Sequence, residues 1–385
     1  MRLDEFLARH GAARLATRAD NARILEFFER RPMRTSAFDV EYRRRPDFFR
    51  LLGYQGDRAH VIVTEDGRGG INGVGTLSLR PGWVRGEPTT VGYLGDLRIG
   101  FDREILPRWR RVFGELLARA GEIDELADCT HWLTVVLDEN RLARTALGPR
   151  RPGMPSLVPL APFTMRNVLL RLPWARPRRT ARRWSVRQAT AADLGGLTEF
   201  FERENRRLPL GFRGELERRL AHWEGLSIDD FVYAADREGI VACVAPWSPS
   251  AAKQTVVSRV PRLFRLVRGA TRVMRRPPVR VPAAGEALRI AYLTHLTFAS
   301  RVPPPERAAV FRGMLDVLFE RWRGADWHCM SVCDFTAWEL GRALGGFVQE
   351  KVPITVYEVI PSGRTHRAGA SLGSGDPPAF EMAVV

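Results

Sequence analysis

The chain has 385 residues, of which 45% are hydrophobic and 27% are charged. This length favours two domains over one, and this composition excludes a disordered or fibrous protein, because it supplies enough apolar residues for packed cores. The sequence contains no run of about 18 apolar residues, which excludes a helical membrane span. Its first residues lack the apolar centre of a secretion signal, so a cytoplasmic location is expected.

The formal net charge of +16 comes almost entirely from arginine, because lysine occurs only at Lys253 and Lys351. A strongly basic chain attracts nucleic acid or anionic cofactors. An arginine-biased genome would give the same composition without any such role. Nucleic acid therefore stays an alternative partner and is not the favoured one.

The four cysteines lack the spacing of a metal site, and no metal is expected. Cys329 and Cys333 would share one face of a strand, so both are predicted to be core residues. Unpaired cysteines of this kind fit a reduced, cytoplasmic location.

The chain begins with a helical unit and a strand pair. The block Ala16–Arg30, ATRADNARILEFFER, has a short extended piece, then Asp20 as a helix N-cap, then an amphipathic helix from Ala22. The pattern next predicts a helical stretch near 42–52, a strand at 60–64, a turn at 65–67 and a strand at 73–79.

The stretch 91–117 predicts a strand, a loop and a helix. The strand covers 91–99, and Pro107 suits the first turn of the helix that follows. From Trp109 onward the apolar residues fall at helical spacing. A strand that enters a helix through a short loop directs free backbone N–H groups and the positive helix end at one point, which suits a phosphate.

The rest of the first half continues the mixed pattern. A strand is predicted at 131–137, a short helix from Asn140, and two extended stretches within 157–172. Strands and helices in this order predict an α/β (α+β) sheet with helices on both faces.

The same elements recur in the second half of the chain. Ala189–Arg203, ATAADLGGLTEFFER, aligns with the first block without a gap. YLGDL at 93–97 is matched by YLTHL at 292–296, and the strand at 131–137 is matched by one at 327–333. Three blocks in the same order predict a duplicated domain.

The opening block, the strand–loop–helix and the Asn140-Arg-Leu-Ala143 start of the late helix resemble the GCN5-related N-acetyltransferase (GNAT) superfamily. The duplication resembles its tandem-domain members. The resemblance covers 13–172 and 184–361. It implies two tandem GNAT-like domains, each a mixed, mostly antiparallel sheet flanked by helices.

The expected domain organisation is an N-terminal GNAT-like domain at 1–172, an arginine- and proline-rich linker at 173–183, and a C-terminal GNAT-like domain at 184–361. A tail at 362–385, rich in Gly, Ser and Pro, is expected to be disordered. The second domain carries an insertion at about 248–287.

The insertion contains RLFRLVRGATRVMRR at 262–276, which predicts a basic amphipathic helix. A lid that docks on the second domain is the favoured interpretation. The alternatives are contact with a membrane surface, an acyl chain, an RNA or an acidic carrier protein.

The resemblance also implies a function. Family members bind acetyl-CoA or another acyl-CoA between two splayed strands, cradle its diphosphate in a loop, and let a primary amine attack the thioester directly. A carboxylate, histidine or water removes the amine proton, and a strand amide stabilises the oxyanion. The expected activity is therefore transfer of an acetyl group from acetyl-CoA to the amine of a small molecule, peptide or protein.

Two alternatives remain at this stage. One is acyl transfer from a larger donor, either a long-chain acyl carrier or an aminoacyl-tRNA, which the basic insertion suggests. The other is a non-catalytic CoA- or ligand-binding protein, because this chain departs from the family pattern in both halves. An enzyme with one inactive half lies between these alternatives.

The departures concern the phosphate loops and the late helices. In the first half, Trp109, Arg111 and Phe113 stand where glycines are usual, so guanidinium groups would have to replace backbone amides as phosphate ligands. A solvated basic face is the alternative interpretation of these arginines. The tyrosine that usually protonates the leaving thiolate is replaced by Leu147 in the first half, and Ala343 stands near its position in the second.

Candidate bases lie at equivalent strand positions, Asp96 in YLGDL and His295 in YLTHL. A structural hydrogen bond near a strand end is the alternative role for each. The residues that the resemblance assigns to acyl-CoA binding are Leu97, Ile99, Arg108, Arg110, Arg111, Asn140, Leu296, Arg307, Ala308 and Ala309.

Overall fold

A computed structural model describes residues 1–11, 13–30, 39–100, 105–140, 153–172, 183–260, 268–269, 280–322, 326–363 and 375–385. No helix within these ranges is both long enough and apolar enough to cross a membrane.

Seven α-helices lie within the described residues. They are α1 (Leu3–Ala8), α2 (Asn21–Glu29), α3 (Arg50–Gln55), α4 (Ile105–Ala118), α5 (Leu194–Asn205), α6 (Glu215–His222) and α7 (Pro304–Trp322).

The same ranges contain fifteen strands. They are β1 (Ala13–Leu15), β2 (Asp39–Arg43), β3 (Arg58–Glu65), β4 (Ile71–Val84), β5 (Glu87–Ile99), β6 (Cys129–Leu137), β7 (Ser156–Arg171), β8 (Ser185–Gln188), β9 (Gly211–Phe212), β10 (Val232–Asp236), β11 (Gly239–Trp247), β12 (Gln254–Arg259), β13 (Ile290–Phe298), β14 (Cys329–Phe335) and β15 (Phe347–Ile360).

Strands from both halves form one continuous sheet in the order β1-β3-β4-β5-β6-β15-β7-β14-β13-β11-β10-β8, with β9 beside β4. β2 and β12 form a separate two-stranded ribbon. Within the described strands, β5–β6 and β13–β14 are parallel and the other pairs are antiparallel. The predicted mixed, mostly antiparallel sheet is confirmed.

The two halves of the sheet exchange their last strands. β15 lies between β6 and β7, and β7 lies between β15 and β14. β7 is one long strand, where the sequence predicted two extended stretches. The division into 1–172 and 184–361 stays a prediction. The exchange means that each of these units contributes one strand next to strands of the other.

The duplicated blocks have the same local structure. The backbone N–H of Thr17 donates to the Asp20 carboxylate at 2.9 Å, and the N–H of Thr190 donates to Asp193 at 2.9 Å. Each threonine opens a 3₁₀ turn that continues into α2 or α5. The prediction that the Asp20 side chain caps the helix is wrong. Its carboxylate accepts a hydrogen bond from Thr17, three residues earlier, and makes no capping hydrogen bond to α2.

The helical stretch predicted near 42–52 is only partly helical. Its start belongs to β2, where Tyr42 pairs with Thr255 of β12, and the helix α3 begins at Arg50. A strand that pairs some 200 residues away leaves no local pattern. Pro46 also disfavours a helical conformation at the residue before it.

The expectation of a disordered tail does not hold for residues 375–385. Ala379, Ala383 and Val384 are buried, and Gln55 Nε2 donates to the Val384 carbonyl at 2.6 Å. After its glycine, this segment has the sequence DPPAFEMAVV, which is rich in apolar residues. These residues favour packing against the core, whereas the glycine- and serine-rich part of the tail before them has few apolar side chains to bury. Residues 364–374 lie outside the described chain.

Three other predicted features also lie outside the described residues. They are the linker at 173–183 apart from Arg183, the late helix after its first residue Asn140, and the basic helix at 262–276 apart from Arg268 and Gly269. The roles expected for them stay predictions.

The packing of α4 fixes its position beside the end of β5. The Trp109 ring is buried, and its Nε1 donates to Thr64 Oγ1 at 2.9 Å. A Cβ atom on Gly73 of β4 would lie only 2.2 Å from Trp109 Nε1, so the glycine makes room for the ring. Trp109 is therefore a core residue.

Candidate active site

Both parallel strand pairs part along their length. β5 pairs with β6 only as far as Tyr93 and Leu133, although β5 continues to Ile99 and β6 to Leu137. We call the gap between these strand ends the first cleft.

The second half repeats this geometry. β13 pairs with β14 only as far as Tyr292 and Ser331, although the strands continue to Phe298 and Phe335. We call this gap the second cleft. The duplication therefore extends to the separation of the two strands.

Each inner strand carries a bulge at the point where its gap opens. Asp96 and Leu97 lie opposite the single residue Gly75, and His295 and Leu296 lie opposite Val244. The first bulge residue has a positive φ in both halves, 50° at Asp96 and 57° at His295. Residues other than glycine rarely adopt this conformation, and it is often found at functional sites. The two predicted bases thus occupy equivalent bulge positions.

The Asp96 carboxylate forms an ion pair with Arg44, which follows β2 and is only 4% exposed. Burial raises the pKa of the nearby Tyr93, and the Asp96 charge adds to this effect. The phenol of Tyr93 therefore stays neutral. Arg44 fixes the orientation of the Asp96 carboxylate.

Two buried polar atoms beside this bulge have no hydrogen-bond partner in the described chain, Arg44 Nη1 and Thr76 Oγ1. Thr76 lies opposite Gly95, where an added Cβ would be 3.1 Å from the threonine oxygen. Buried polar groups are nearly always hydrogen-bonded. These atoms therefore mark the first bulge as a place where a ligand or water completes the structure.

The leucines of the two bulges differ in exposure. Leu97 is 43% exposed, whereas Leu296 is half-buried. Leu106, in the first turn of α4, is also exposed. Ile99 ends β5 and packs against the core beneath α4. Apolar surface therefore lies near the first cleft.

The predicted phosphate ligands lie in the first two turns of α4. Arg108 is exposed and Arg110 is half-buried. Arg111 is exposed and pairs with Glu115 of the same helix at 3.0 Å. Asn140 follows β6, and its N–H donates to the Leu137 carbonyl at 2.9 Å. Arg111 is thus engaged within its own helix.

The second cleft is filled by the chain itself. The backbone N–H of His295 donates to Glu381 Oε1 at 2.8 Å, and Arg219 donates to the same oxygen at 3.1 Å. On the opposite strand, the thiol of Cys333 contacts the backbone of Met382. Residues 379–382 therefore bridge β13 and β14, and a cavity of only about 30 Å³ remains beside them.

The His295 side chain is enclosed and 1% exposed. The rings of Phe201, Trp223 and Phe231 surround it, with centroids at 5.5, 5.3 and 5.1 Å. Burial lowers the pKa of His295 well below its usual range, and the Arg219 charge adds to this effect. The imidazole is therefore neutral and packed among aromatic rings.

The predicted phosphate ligands of the second half are also engaged. Arg307 is buried, its Nε donates to the Val302 carbonyl at 3.1 Å, and its Nη1 pairs with Asp376 at 2.8 Å. Ala308 is buried and Ala309 is exposed. The segment that fills the second cleft thus also binds the arginine at the start of α7.

Sequence reasoning missed Arg44, Thr76, Asp376 and Glu381. Arg44 is the middle residue of three consecutive arginines, so nothing in the sequence separates it from its neighbours. Glu381 had a signal, because it is the one acid within an apolar run. Among the described residues, no group of three or more side chains that could hold a metal ion occurs.

No protein-family model and no curated protein sequence matches this chain. Solved structures do match it. N-myristoyltransferase of Saccharomyces cerevisiae with bound myristoyl-CoA aligns over 91% of this chain and 83% of its own, with 13% identity and a TM-score of 0.53. A structure of this enzyme with myristoyl-CoA and inhibitors gives 12% identity, 91% and 80% coverage, and a TM-score of 0.54.

A further match is a GCN5-related glucosamine N-acetyltransferase region in a fungal multi-domain GH3 β-N-acetylglucosaminidase. It aligns over 90% of this chain and 38% of that one, with 12% identity and a TM-score of 0.57. At these identities the similarity establishes the fold. The chain has the GNAT fold, present twice in tandem, as the sequence predicted.

Proposed function

We propose that this protein is an N-acyltransferase that transfers an acyl group from acyl-CoA to a primary amine, and that the reaction takes place in the first cleft. One contrast between the two clefts carries the proposal. The second bulge N–H is bound by Glu381 of the segment that fills the second cleft, and His295 is only 1% exposed, whereas the Asp96 carboxylate of the first bulge is 14% exposed.

The donor would lie along the first cleft. Its diphosphate would sit at the N-terminal end of α4, where the helix dipole and the guanidinium groups of Arg108 and Arg110 favour negative charge. Its thioester would lie at the Asp96–Leu97 bulge, where backbone N–H groups can stabilise an oxyanion. Leu97 offers apolar contact beside it.

The amine nitrogen would attack the thioester carbon, and the carbon–sulfur bond would break. Asp96, held by Arg44, would accept the proton that the amine loses, directly or through a water molecule. The thiolate would take its proton from water, because the family tyrosine is absent at Leu147. His295 would have a structural role.

A second candidate donor is a long-chain acyl-CoA. The exposed Leu97 and Leu106 near the first cleft favour it, and one structural neighbour was solved with myristoyl-CoA. An acetyl donor needs no such apolar surface. The acceptor is an amine of a small molecule, peptide or protein.

The test measures thiol release from acetyl-CoA and from myristoyl-CoA against a panel of amines and amino-terminal peptides. Asp96→Asn should lower kcat by roughly 10²–10⁴-fold, the usual contribution of a general base, while donor binding by calorimetry stays unchanged. Glu87→Gln, an exposed acid at the far end of the same strand, is the matched control and should keep full activity.

Three results would count against the proposal. Failure to bind any thioester would exclude an acyl-CoA enzyme. Binding without turnover would favour a non-catalytic protein. An active Asp96→Asn variant together with an inactive His295→Ala variant of normal stability would move the chemistry to the second cleft.

A further inference from the structure

The segment 375–385 carries its two acids at two distinct points of the second half. Asp376 pairs with Arg307 in the first turn of α7 at 2.8 Å. Glu381 accepts the bulge N–H of His295 at 2.8 Å. Each carboxylate therefore lies at a point where the backbone or an arginine presents positive charge.

These two points correspond to the two anion sites proposed for the first half. The start of α7 is the duplicate of the start of α4, and the His295 bulge is the duplicate of the Asp96 bulge. In the first cleft these points would receive a diphosphate and a thioester oxygen. In the second half the same points hold Asp376 and Glu381.

The length between the two acids suits this correspondence. Five residue steps span at most about 17 Å in an extended chain, and Pro377 and Pro378 favour extended backbone. A pantetheine arm between a diphosphate and a thioester covers a distance of the same order.

The middle of the segment combines apolar packing with main-chain hydrogen bonds. Ala379 donates its N–H to the Pro209 carbonyl at 3.0 Å, and its own carbonyl accepts from Arg80 at 3.4 Å. The Phe380 ring lies 5.7 Å from that of Phe163. An arm made of amide groups and short alkyl chains would need the same kinds of partner.

We propose that the second cleft is a latent acyl-CoA site, and that residues 376–382 fill it as an internal substitute for the diphosphate-to-thioester arm of the ligand. This inference rests on the proposed function for the class of ligand. Displacement of the segment exposes a second site for a CoA thioester on the same chain.

Contacts from both halves hold the segment in place. Gln55 binds Val384, and Lys253 Nζ donates to the carbonyls of Met382 and Val385. An external ligand must break these bonds before it can enter the second cleft. The parent chain should therefore bind a single equivalent of ligand.

The experiment measures the stoichiometry of a non-reactive thioether analogue of acetyl-CoA by calorimetry. The parent chain should bind one equivalent, and a variant truncated after residue 374 should bind two. The isosteric double variant Asp376→Asn, Glu381→Gln keeps the packing and replaces both carboxyl groups with amides, so it should bind its second equivalent at higher ligand concentration. The matched control is Asp229→Asn, Glu199→Gln, a pair of exposed acids outside the second cleft, and should bind one.

Thiol labelling resolved by mass spectrometry supplies a second readout. Cys333 contacts the segment, whereas Cys129 is buried at the start of β6 and serves as the internal control. In the variants, Cys333 should label faster than in the parent and should be protected again by the analogue. The Cys129 rate should not change.

The outcomes separate this inference from the proposed function. A parent chain that binds no analogue contradicts the proposed function. A parent and folded variants that all bind one equivalent, with Cys333 labelling indifferent to the analogue, overturn the latent site while the proposed function stands. If the truncated chain does not fold, the isosteric variant decides.

Discussion

Asp96 and His295 occupy equivalent backbone positions in the two halves but have different surroundings. Both stand first in a bulge with positive φ, yet Asp96 faces a buried arginine and His295 faces three aromatic rings. The sequence identified both residues as candidate bases at equivalent positions, because the five-residue blocks around them are alike. It could not assign their roles, because Arg44 and Trp223 come from distant parts of the chain.

Arg44 should be important for stability as well as for the orientation of Asp96. Replacing it with methionine leaves the Asp96 carboxylate, 14% exposed, without its partner. Breaking a buried ion pair in this way costs about 3–5 kcal/mol. We therefore expect Arg44→Met to lower the free energy of unfolding in urea by that amount.

The adjacent Arg43 provides the matched control. It is 42% exposed and pairs with Glu41, two residues before it. An exposed pair contributes about 0–1 kcal/mol, so Arg43→Met should change the unfolding free energy little. Equal effects of the two substitutions would contradict the role given to the Arg44–Asp96 pair.

At the scale of elements, each cleft needs a closed end from which the strands can part. In the second half Arg289 and His328 form two hydrogen bonds at this end, one to the histidine side chain and one between backbone groups. The Arg289 N–H donates to His328 Nδ1 at 2.9 Å, and the His328 N–H donates to the Arg289 carbonyl at 2.9 Å. Burial lowers the pKa of His328 to about 4, and the Arg289 charge adds to this effect.

This closed end should make stability depend on pH. Between pH 4 and the ordinary histidine pKa of about 6.5, the unfolded chain binds a proton at His328 that the folded chain does not. Stability should therefore fall as the pH is lowered through this window. Urea unfolding at several pH values measures the slope.

His328→Asn should reduce that slope, because asparagine can accept the Arg289 N–H through its side-chain oxygen and does not titrate. Part of the pH dependence should remain in this variant, because burial also lowers the pKa of His295. His222→Asn, at an exposed position, should leave the slope unchanged. A His328→Asn variant with the slope of the parent would exclude this explanation.

The elements that the sequence predicted are those with local signals. The helix of α4 and the strands β5 and β6 follow from apolar spacing within 10–15 residues. β2 was missed because its partner, β12, lies in the insertion. The exchange of β7 and β15 was also missed, because periodicity identifies a strand but does not identify the strand that pairs with it.

On the scale of the whole molecule, the duplicated halves have become unequal. Both keep the parted parallel strands and the bulge, but the segment 376–382 lies in one of them. The sequence predicted the duplication, because three blocks repeat in order. It could not predict the inequality, which depends on where an eleven-residue segment at 375–385 packs.

The most direct test is a crystal structure of the full chain with the thioether analogue of acetyl-CoA. We expect the ligand between β5 and β6, its diphosphate at the start of α4 and its thioether at the Asp96–Leu97 bulge, with residues 376–382 still in the second cleft. A ligand between β13 and β14 with the first cleft free of it would contradict the assignment of the reaction to the first cleft.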